Sequence, residues 1–305
     1  MPPNKYLLKS IAGNFVFNNT GKFLFEEKTA SKLKNYQNIE DLPEKTINIA
    51  LSELSKPELY DKFYKNNITL TKQQIKSSYS PDIMISKVIT TIDDLEKATN
   101  MLITRLRNWY KLYNPEFTSS FTNNDKFVEL ILKKDRKTLL KEINVKESES
   151  MGFDLNKQDL AAIKDYASSL IDLFSQKQRL DDYLKKVMKD YCPNLLEIAG
   201  SSIAARLLQH AGSLKNLMEM PASKLQLIGA EKALFRHLTS KARCPKHGLI
   251  FAHPLISSTK AKYHGKAARA LADKLALAAK VDYFKGEFIG KRLRSDLEKK
   301  VKAFK

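Results

Sequence analysis

From Lys232 to Ala272 the chain has no Asp or Glu, while Lys232, Arg236, Lys241, Arg243, Lys246, Lys260, Lys262, Lys266 and Arg269 fall inside that window, as do four of the five histidines. Cations without interspersed acids are the footprint of a phosphate-binding surface, because each Lys or Arg set against a phosphate releases condensed counterions. The window is entered through Gly229-Ala230-Glu231-Lys232-Ala233-Leu234-Phe235-Arg236-His237-Leu238, which reads as a helix start. Gly229 frees the backbone there, and first-turn N–H groups that point outward favour an anion. Lys232 and Arg236 lie four apart, on one face. Leu234 and Phe235 either face the core or stack on a base, and for Phe235 the core is the commoner fate. Arg243, Lys246 and His247 follow on a loop, and Lys262, Lys266 and Arg269 line the start of the next helix. These positions are expected to converge on one groove.

Other chemistries are poorly served. Gly229 and Gly248 stand alone, so there is no phosphate loop of the glycine-rich kind. The basic region lacks the paired carboxylates of a metal-dependent nuclease. Cys244, His247, His253 and His264 have gaps that match no standard zinc site, and the histidines read more simply as neighbours of Lys and Arg on a phosphate-facing surface. The expectation is therefore a binding protein with no catalytic residues, no metal and no cofactor of its own. An RNA-acting enzyme and a purely structural coiled-coil protein are the competing classes.

The whole-chain charge sharpens this. Of a formal +19, residues 193–305 hold 22 basic and 8 acidic residues, or +14, and residues 1–192 hold 31 and 26, or +5. A polyanion partner is thus expected for the last third. The two cysteines, Cys192 and Cys244, predict a reducing, intracellular setting without disulfides. No apolar run approaches a membrane span, and no apolar stretch follows Met1-Pro2-Pro3-Asn4-Lys5 as a signal peptide requires.

The elements that must position these residues fall into three parts, over 1–80, 81–192 and 193–305. The first reads as a small α/β module. Tyr6–Leu8, Asn14–Phe17 and Lys22–Phe25 are strand-like, Asn18-Asn19-Thr20-Gly21 is turn chemistry, and a helical stretch from Glu53 to Tyr64 is interrupted at Pro57. The second part is two rods. Ser80-Pro81-Asp82 starts one, with heptad seams at Ile85, Ile92, Thr99, Leu106, Tyr113 and at Val88, Leu95, Leu102, Trp109, up to Asn114-Pro115. Asn156 and Asp159 start the other, with seams at Ile163, Leu170, Lys177, Leu184, Tyr191 and at Tyr166, Leu173, Leu180, Val187, up to Cys192-Pro193. Rods of similar length joined by about 45 residues predict an antiparallel coiled coil. The joining segment has a helical stretch, Asp125–Ile143, with Phe127, Leu130, Ile131, Leu139 and Leu140; it is either an interaction tip or a local cap on the rods. The third part, with short helices punctuated by Gly and Pro, reads as a compact all-α domain.

The residues of that last part resemble the Nop domain. Gly229-Ala230-Glu231-Lys232-Ala233-Leu234-Phe235-Arg236 is similar to its signature, and Pro193-Asn194-Leu195, Ala204-Ala205-Arg206-Leu207, Pro245-Lys246-His247-Gly248-Leu249-Ile250-Phe251, Gly265–Ala272 and Ala278–Phe284 agree in order. So do Arg105–Tyr110, Asn114-Pro115-Glu116-Phe117 and Ser150-Met151-Gly152 in the rods, which makes the resemblance run from about Ile85 onward. Its length and N-terminal module resemble the archaeal scaffolds of box C/D small ribonucleoproteins more than eukaryotic members or spliceosomal relatives. The resemblance implies an N-terminal domain that holds fibrillarin, the S-adenosylmethionine-dependent methyltransferase, and a coiled coil that forms a homodimer. It implies a Nop domain that binds kink-turn guide RNA together with a ribosomal-type kink-turn protein, for 2′-O-methylation of RNA. The cofactor then belongs to fibrillarin, and the setting is the archaeal cytoplasm, or the nucleolus in a eukaryote. Carried over, Gly229, Ala230, Glu231, Lys232, Arg236 and His237 lie at the RNA, with Arg243, Lys246, His247, Lys262, Lys266 and Arg269 as backbone contacts.

Overall fold

A computed structural model describes residues 5–10, 13–26, 37–38, 44–240 and 242–304. The chain forms two compact units, Met1–Tyr79 and Ser80–Lys305.

In the first unit, β1 (Lys5–Ser10), β2 (Gly13–Asn18), β3 (Phe23–Glu26) and β4 (Gln37–Asn38) form one sheet in the order β3-β2-β1-β4. The β2–β3 hairpin forms at the expected turn: Asn18 Oδ1 accepts the N–H groups of Thr20 (3.0 Å) and Lys22 (2.8 Å). Gly21 there has φ +78°, and a Cβ would lie 2.3 Å from the Thr46 carbonyl oxygen, so only glycine fits. Phe15 and Phe17 pack edge-on to Phe23 and are closed over by Ala50 of α1 (Glu44–Leu54). Pro57 does divide the helical stretch, standing in the first turn of α2 (Pro57–Ser77). That helix continues well past Tyr64.

The second unit is all helical. Ser80 caps α3 (Pro81–Tyr113) by accepting the Asp82 N–H at 3.3 Å, and its 33 residues span about 50 Å. After α4 (Pro115–Ser120), α5 (Asn124–Lys133) and α6 (Arg136–Glu142), α7 (Lys157–Tyr191) returns alongside, capped by Asn156 on the Asp159 N–H at 2.7 Å. Contacts between the rods run in opposite numerical order: Asp82 with Tyr191 (2.8 Å), Glu96 with Lys177 (3.4 Å), Leu102 with Tyr166 (3.4 Å). The coiled coil is therefore antiparallel.

The first seam of each rod is largely as the heptads predict, with Ile85, Ile92, Thr99, Leu106, Ile163, Leu170 and Leu184 buried. The second seam is corrected near the tip and at the base. Ile103 and Tyr110 are buried where Leu102 and Trp109 were expected, and Ala167 and Met188 where Tyr166 and Val187 were expected. Helices packed against the rods select the adjacent residue: Ile103, Tyr110 and Ala167 share a core with the joining segment, and Met188 shares one with the helices of the last part.

The joining segment packs onto the rods, as the cap reading expects. Phe127, Val128, Ile131 and Leu139 share one core with Ile103, Leu106, Tyr110, Ile163, Ala167 and Leu170. Arg107 clamps it, donating to Asn124 Oδ1 (3.1 Å) and to the Thr118 (3.1 Å) and Phe121 (2.8 Å) carbonyls with its guanidinium 4.2 Å from the Phe127 ring centre. Arg136, buried, donates to Asp154 (2.9 Å), Ser150 Oγ (2.9 Å) and the Gly152 carbonyl (3.0 Å). Burial alone raises the Glu116 pKa, but the Met151 N–H and the Ser150 hydroxyl outweigh it and hold the carboxyl below its usual range. A Cβ on Gly152 would sit 2.0 Å from the Tyr113 carbonyl oxygen, so the glycine of the Ser-Met-Gly motif is a packing requirement.

Beyond Cys192 come α8 (Pro193–Ala211), α9 (Leu214–Glu219), α10 (Ala222–Leu227), α11 (Glu231–Ser240), α12 (Pro254–Ser257), α13 (His264–Tyr283) and α14 (Gly290–Lys302). The rods are rooted among them: Ile85, Ile89, Ile92, Leu184 and Met188 share a core with Leu195, Leu207, Leu271, Leu275 and Leu297. Ala267, Ala268, Ala272, Ala278 and Ala279 are fully buried on α13, and their small size lets neighbouring helices approach closely. Buried Asp282 accepts the Asn194 N–H (3.1 Å), Asn194 Nδ2 (2.8 Å) and the Leu195 N–H (2.8 Å), while Asn194 Oδ1 accepts the Ile289 N–H (2.7 Å). Two motif segments far apart in sequence thus meet at one junction. No described helix is long and apolar enough to cross a membrane.

Candidate nucleic-acid interface

The loop between α11 and α13 is pinned by close backbone approaches. Gly229 has φ +84°, and a Cβ there would meet Leu249 Cγ at 2.5 Å. A Cβ on Gly248 would lie 1.9 Å from the Ile228 carbonyl oxygen. The Gly248 N–H instead reaches the Gln226 carbonyl (2.9 Å), the Leu249 N–H reaches Ile228 (2.7 Å), and Gln226 Nε2 donates to the Lys246 carbonyl (2.6 Å). The loop is thereby held against the end of α10, with Lys246 facing the start of α13 across Gly265, whose Cβ position is 3.6 Å from the Lys246 side chain.

This arrangement opens a groove of about 670 Å³ lined by Lys246, Lys262, Lys266, Arg269 and Lys300, with Asp273 the one carboxylate among its lining residues. Among the described residues none of the five cations has an ion-pair partner, whereas neighbouring Lys274 pairs with Asp296 (3.2 Å) and Arg294 with Glu197 (3.2 Å) and Glu298 (3.3 Å). Lys262 and Lys266 lie 4.7 and 5.9 Å from the centre of the Tyr263 ring, which stacks on Phe304 at 6.1 Å. The structure therefore brings together Lys246, Lys262, Lys266 and Arg269 as the sequence predicts. It adds Lys300 and Phe304, which lie outside the acid-free window. Leu293, Leu297 and Val301 are the buried stripe of α14, so helical spacing places Lys300 at its edge; the groove itself needs the α13–α14 pairing.

The signature helix behaves differently. Lys232 and Arg236 are exposed on α11 but do not line the groove, and neither does Arg243. At the helix start Glu231 turns back and accepts the Gly229 N–H at 2.7 Å, and the Ala230 N–H goes to the Leu227 carbonyl at 2.9 Å, so these two N–H groups have partners within the chain. That Gly229 N–H holds the Glu231 carboxyl below its usual range. The core reading of Phe235 is also overturned. Phe235 and Leu238 are 68% and 73% exposed, and α11 has no buried residue at all.

The four histidines of the window have partners within the chain. His237 Nδ1 lies 2.5 Å from the Ala242 carbonyl oxygen, and His264 Nε2 is 3.0 Å from that of Thr259. His247 stacks on Phe251 at 4.3 Å; burial first, then His264 and Lys246, lower its pKa, so it is a neutral plate rather than a cation at neutral pH. His253 is buried, takes the Leu255 N–H on Nδ1 (3.2 Å) and donates from Nε2 to the Ile198 carbonyl (2.9 Å). Among the described residues no group of three or more His, Cys, Asp or Glu is placed to hold a metal ion.

A family model described as "Nop: snoRNA binding domain, fibrillarin" matches residues 91–303. A NOP5 family protein of Methanocaldococcus jannaschii is 40% identical over 261 residues, 79% of this chain and 63% of that one. Human nucleolar protein 56 is 34% identical over 241 residues, 72% of this chain and 41% of that one, and nucleolar protein 58 of Schizosaccharomyces pombe is 36% identical over 231 residues, 70% and 45%. A chain in the crystal structure of a fibrillarin/Nop5p complex is 25% identical, with 99% of this chain and 100% of that one covered and a TM-score of 0.46. The chain spans less than two thirds of the length of the curated relatives it matches. The rods and the helical domain, with the groove they root, belong to the Nop family.

Proposed function

We propose that this chain is the non-catalytic scaffold of a box C/D small ribonucleoprotein, bringing fibrillarin to guide RNA for site-specific 2′-O-methylation. The observation that carries the reading is the groove, where five cations stand against one carboxylate, Asp273, and among the described residues none of them is held in an ion pair. Such a surface is completed by phosphates from outside. The family description, a snoRNA-binding domain, supports RNA as the polyanion, and the nucleolar and NOP5 relatives support the ribonucleoprotein setting.

In this reading the C-terminal helices take the kink-turn guide RNA jointly with a small kink-turn protein, since a groove of cations follows backbone and shape rather than base order. The N-terminal module takes fibrillarin. Tyr60, Tyr64 and Ile68, four apart on α2 and exposed, are an apolar stripe of the kind a protein partner covers. The rods join two copies. S-adenosylmethionine binds fibrillarin alone, and the particle works in the archaeal cytoplasm, or in the nucleolus if the source is eukaryotic.

The test is reconstitution. Methyl transfer to a guide-matched RNA is measured with fibrillarin, kink-turn protein and guide RNA, with and without this chain. Activity only in the complete mixture, and none from the chain with cofactor alone, is expected. Full activity without the chain, or cofactor binding by the chain itself, overturns the scaffold reading.

A further inference from the structure

Asp273 is anomalous by charge. It is exposed and lies in the groove with Lys246, Lys262, Lys266, Arg269 and Lys300. Arg269 precedes it by four residues on α13, the spacing at which helical ion pairs form, yet among the described residues no ion pair joins Asp273 to any cation. On a surface completed by phosphates, an unpaired carboxylate repels the ligand's backbone. What it offers instead is two acceptor oxygens and no donor.

On RNA the complement of such a group is an edge with two adjacent N–H donors. Unpaired guanine presents one, N1–H beside the N2 amino group. Adenine and cytosine set a single amino group beside a ring-nitrogen acceptor, and uracil sets one N–H between two carbonyls. In a duplex the guanine edge is consumed by pairing, and the A-form major groove is too deep and narrow for a side chain to read. We propose that Asp273 reads the Watson–Crick edge of an unpaired guanine whose flanking phosphates rest on Lys266, Arg269 and Lys300. This rests on the groove being the RNA interface and adds to it a base preference that the cations alone do not supply.

The experiment measures the affinity of the full chain for short single-stranded RNAs that differ at one central position: guanine, inosine (which lacks the N2 amino group) or adenine in a uridine run. The wild-type chain is expected to favour the guanine strand about tenfold, the scale of one bidentate base contact. Asp273→Asn is expected to lose that preference while binding the guanine-free strands at least as well as wild type. Its exposed position keeps the fold intact, checked by circular dichroism. A wild-type chain with no preference overturns the proposal. So does an Asp273→Asn variant that binds every strand more tightly by one common factor, because loss of a repulsive charge does just that. If Lys266→Ala with Lys300→Ala leaves every affinity unchanged, the groove is not the interface and both readings fall.

Discussion

Removing Lys266 and Lys300 together tests the groove most directly, because they reach it from different helices, α13 and α14. If each of the five groove cations meets one phosphate, the logarithm of affinity falls against the logarithm of salt with a slope of about −3.5 on single strands and about −4.5 on duplex. A fourfold rise in salt then weakens wild-type binding by about 130- to 500-fold. The double alanine variant keeps three cations, so the same rise weakens it only about 20- to 40-fold. The assay is fluorescence anisotropy with a labelled guide RNA at several salt concentrations. Arg294→Ala is the control, since Arg294 is already neutralised by Glu197 and Glu298 and its loss should leave the slope unchanged. A slope that responds to Lys266→Ala but not to Lys300→Ala refutes the groove as drawn and leaves α13 alone at the RNA. A slope indifferent to both moves the RNA elsewhere.

Three further outcomes follow from the packing. Asp282→Ala strands the Asn194 and Leu195 donors at the α8–α13 junction and should lower stability by about 3 kcal/mol in denaturant unfolding; a loss below about 1 kcal/mol would show that water replaces the carboxylate. Burial, then Arg294, lower the His253 pKa against the opposing Ile198 bond, so its neutral form stabilises the fold. That contribution is present above the ordinary histidine range and lost as pH falls through the lowered value. The thermal midpoint should therefore drop on acidification from pH 7 toward 5, and His253→Gln should flatten this drop; an equal slope in the variant would assign it to other groups. Finally, Trp109 and Leu112 are 49% and 53% exposed at the tip end of α3, so Trp109→Asp with Leu112→Asp should yield monomers by light scattering if the rods pair there. Point changes are used there because Phe127, Ile131 and Leu139 of the joining segment complete the rods' own core.

Much was legible locally. The caps at Ser80 and Asn156, the hairpin turn at Asn18–Gly21 and the division at Pro57 are governed by neighbours within a few residues, so spacing and residue type sufficed. The mainly helical fold and the Lys246, Lys262, Lys266 and Arg269 cluster were legible for the same reason: helical period and charge are written along the chain. What tertiary structure alone decided is where long-range partners meet. It shifted the second seam to Ile103 and Tyr110, because the tip helices pack on that side. It turned Glu231 back onto Gly229, left Phe235 in solvent, and carried Lys300 and Phe304 from the end of the chain into the groove. A one-dimensional pattern states which side chains are able to be buried or charged together; which of them are depends on the helix that arrives opposite, and that is settled only by packing in three dimensions.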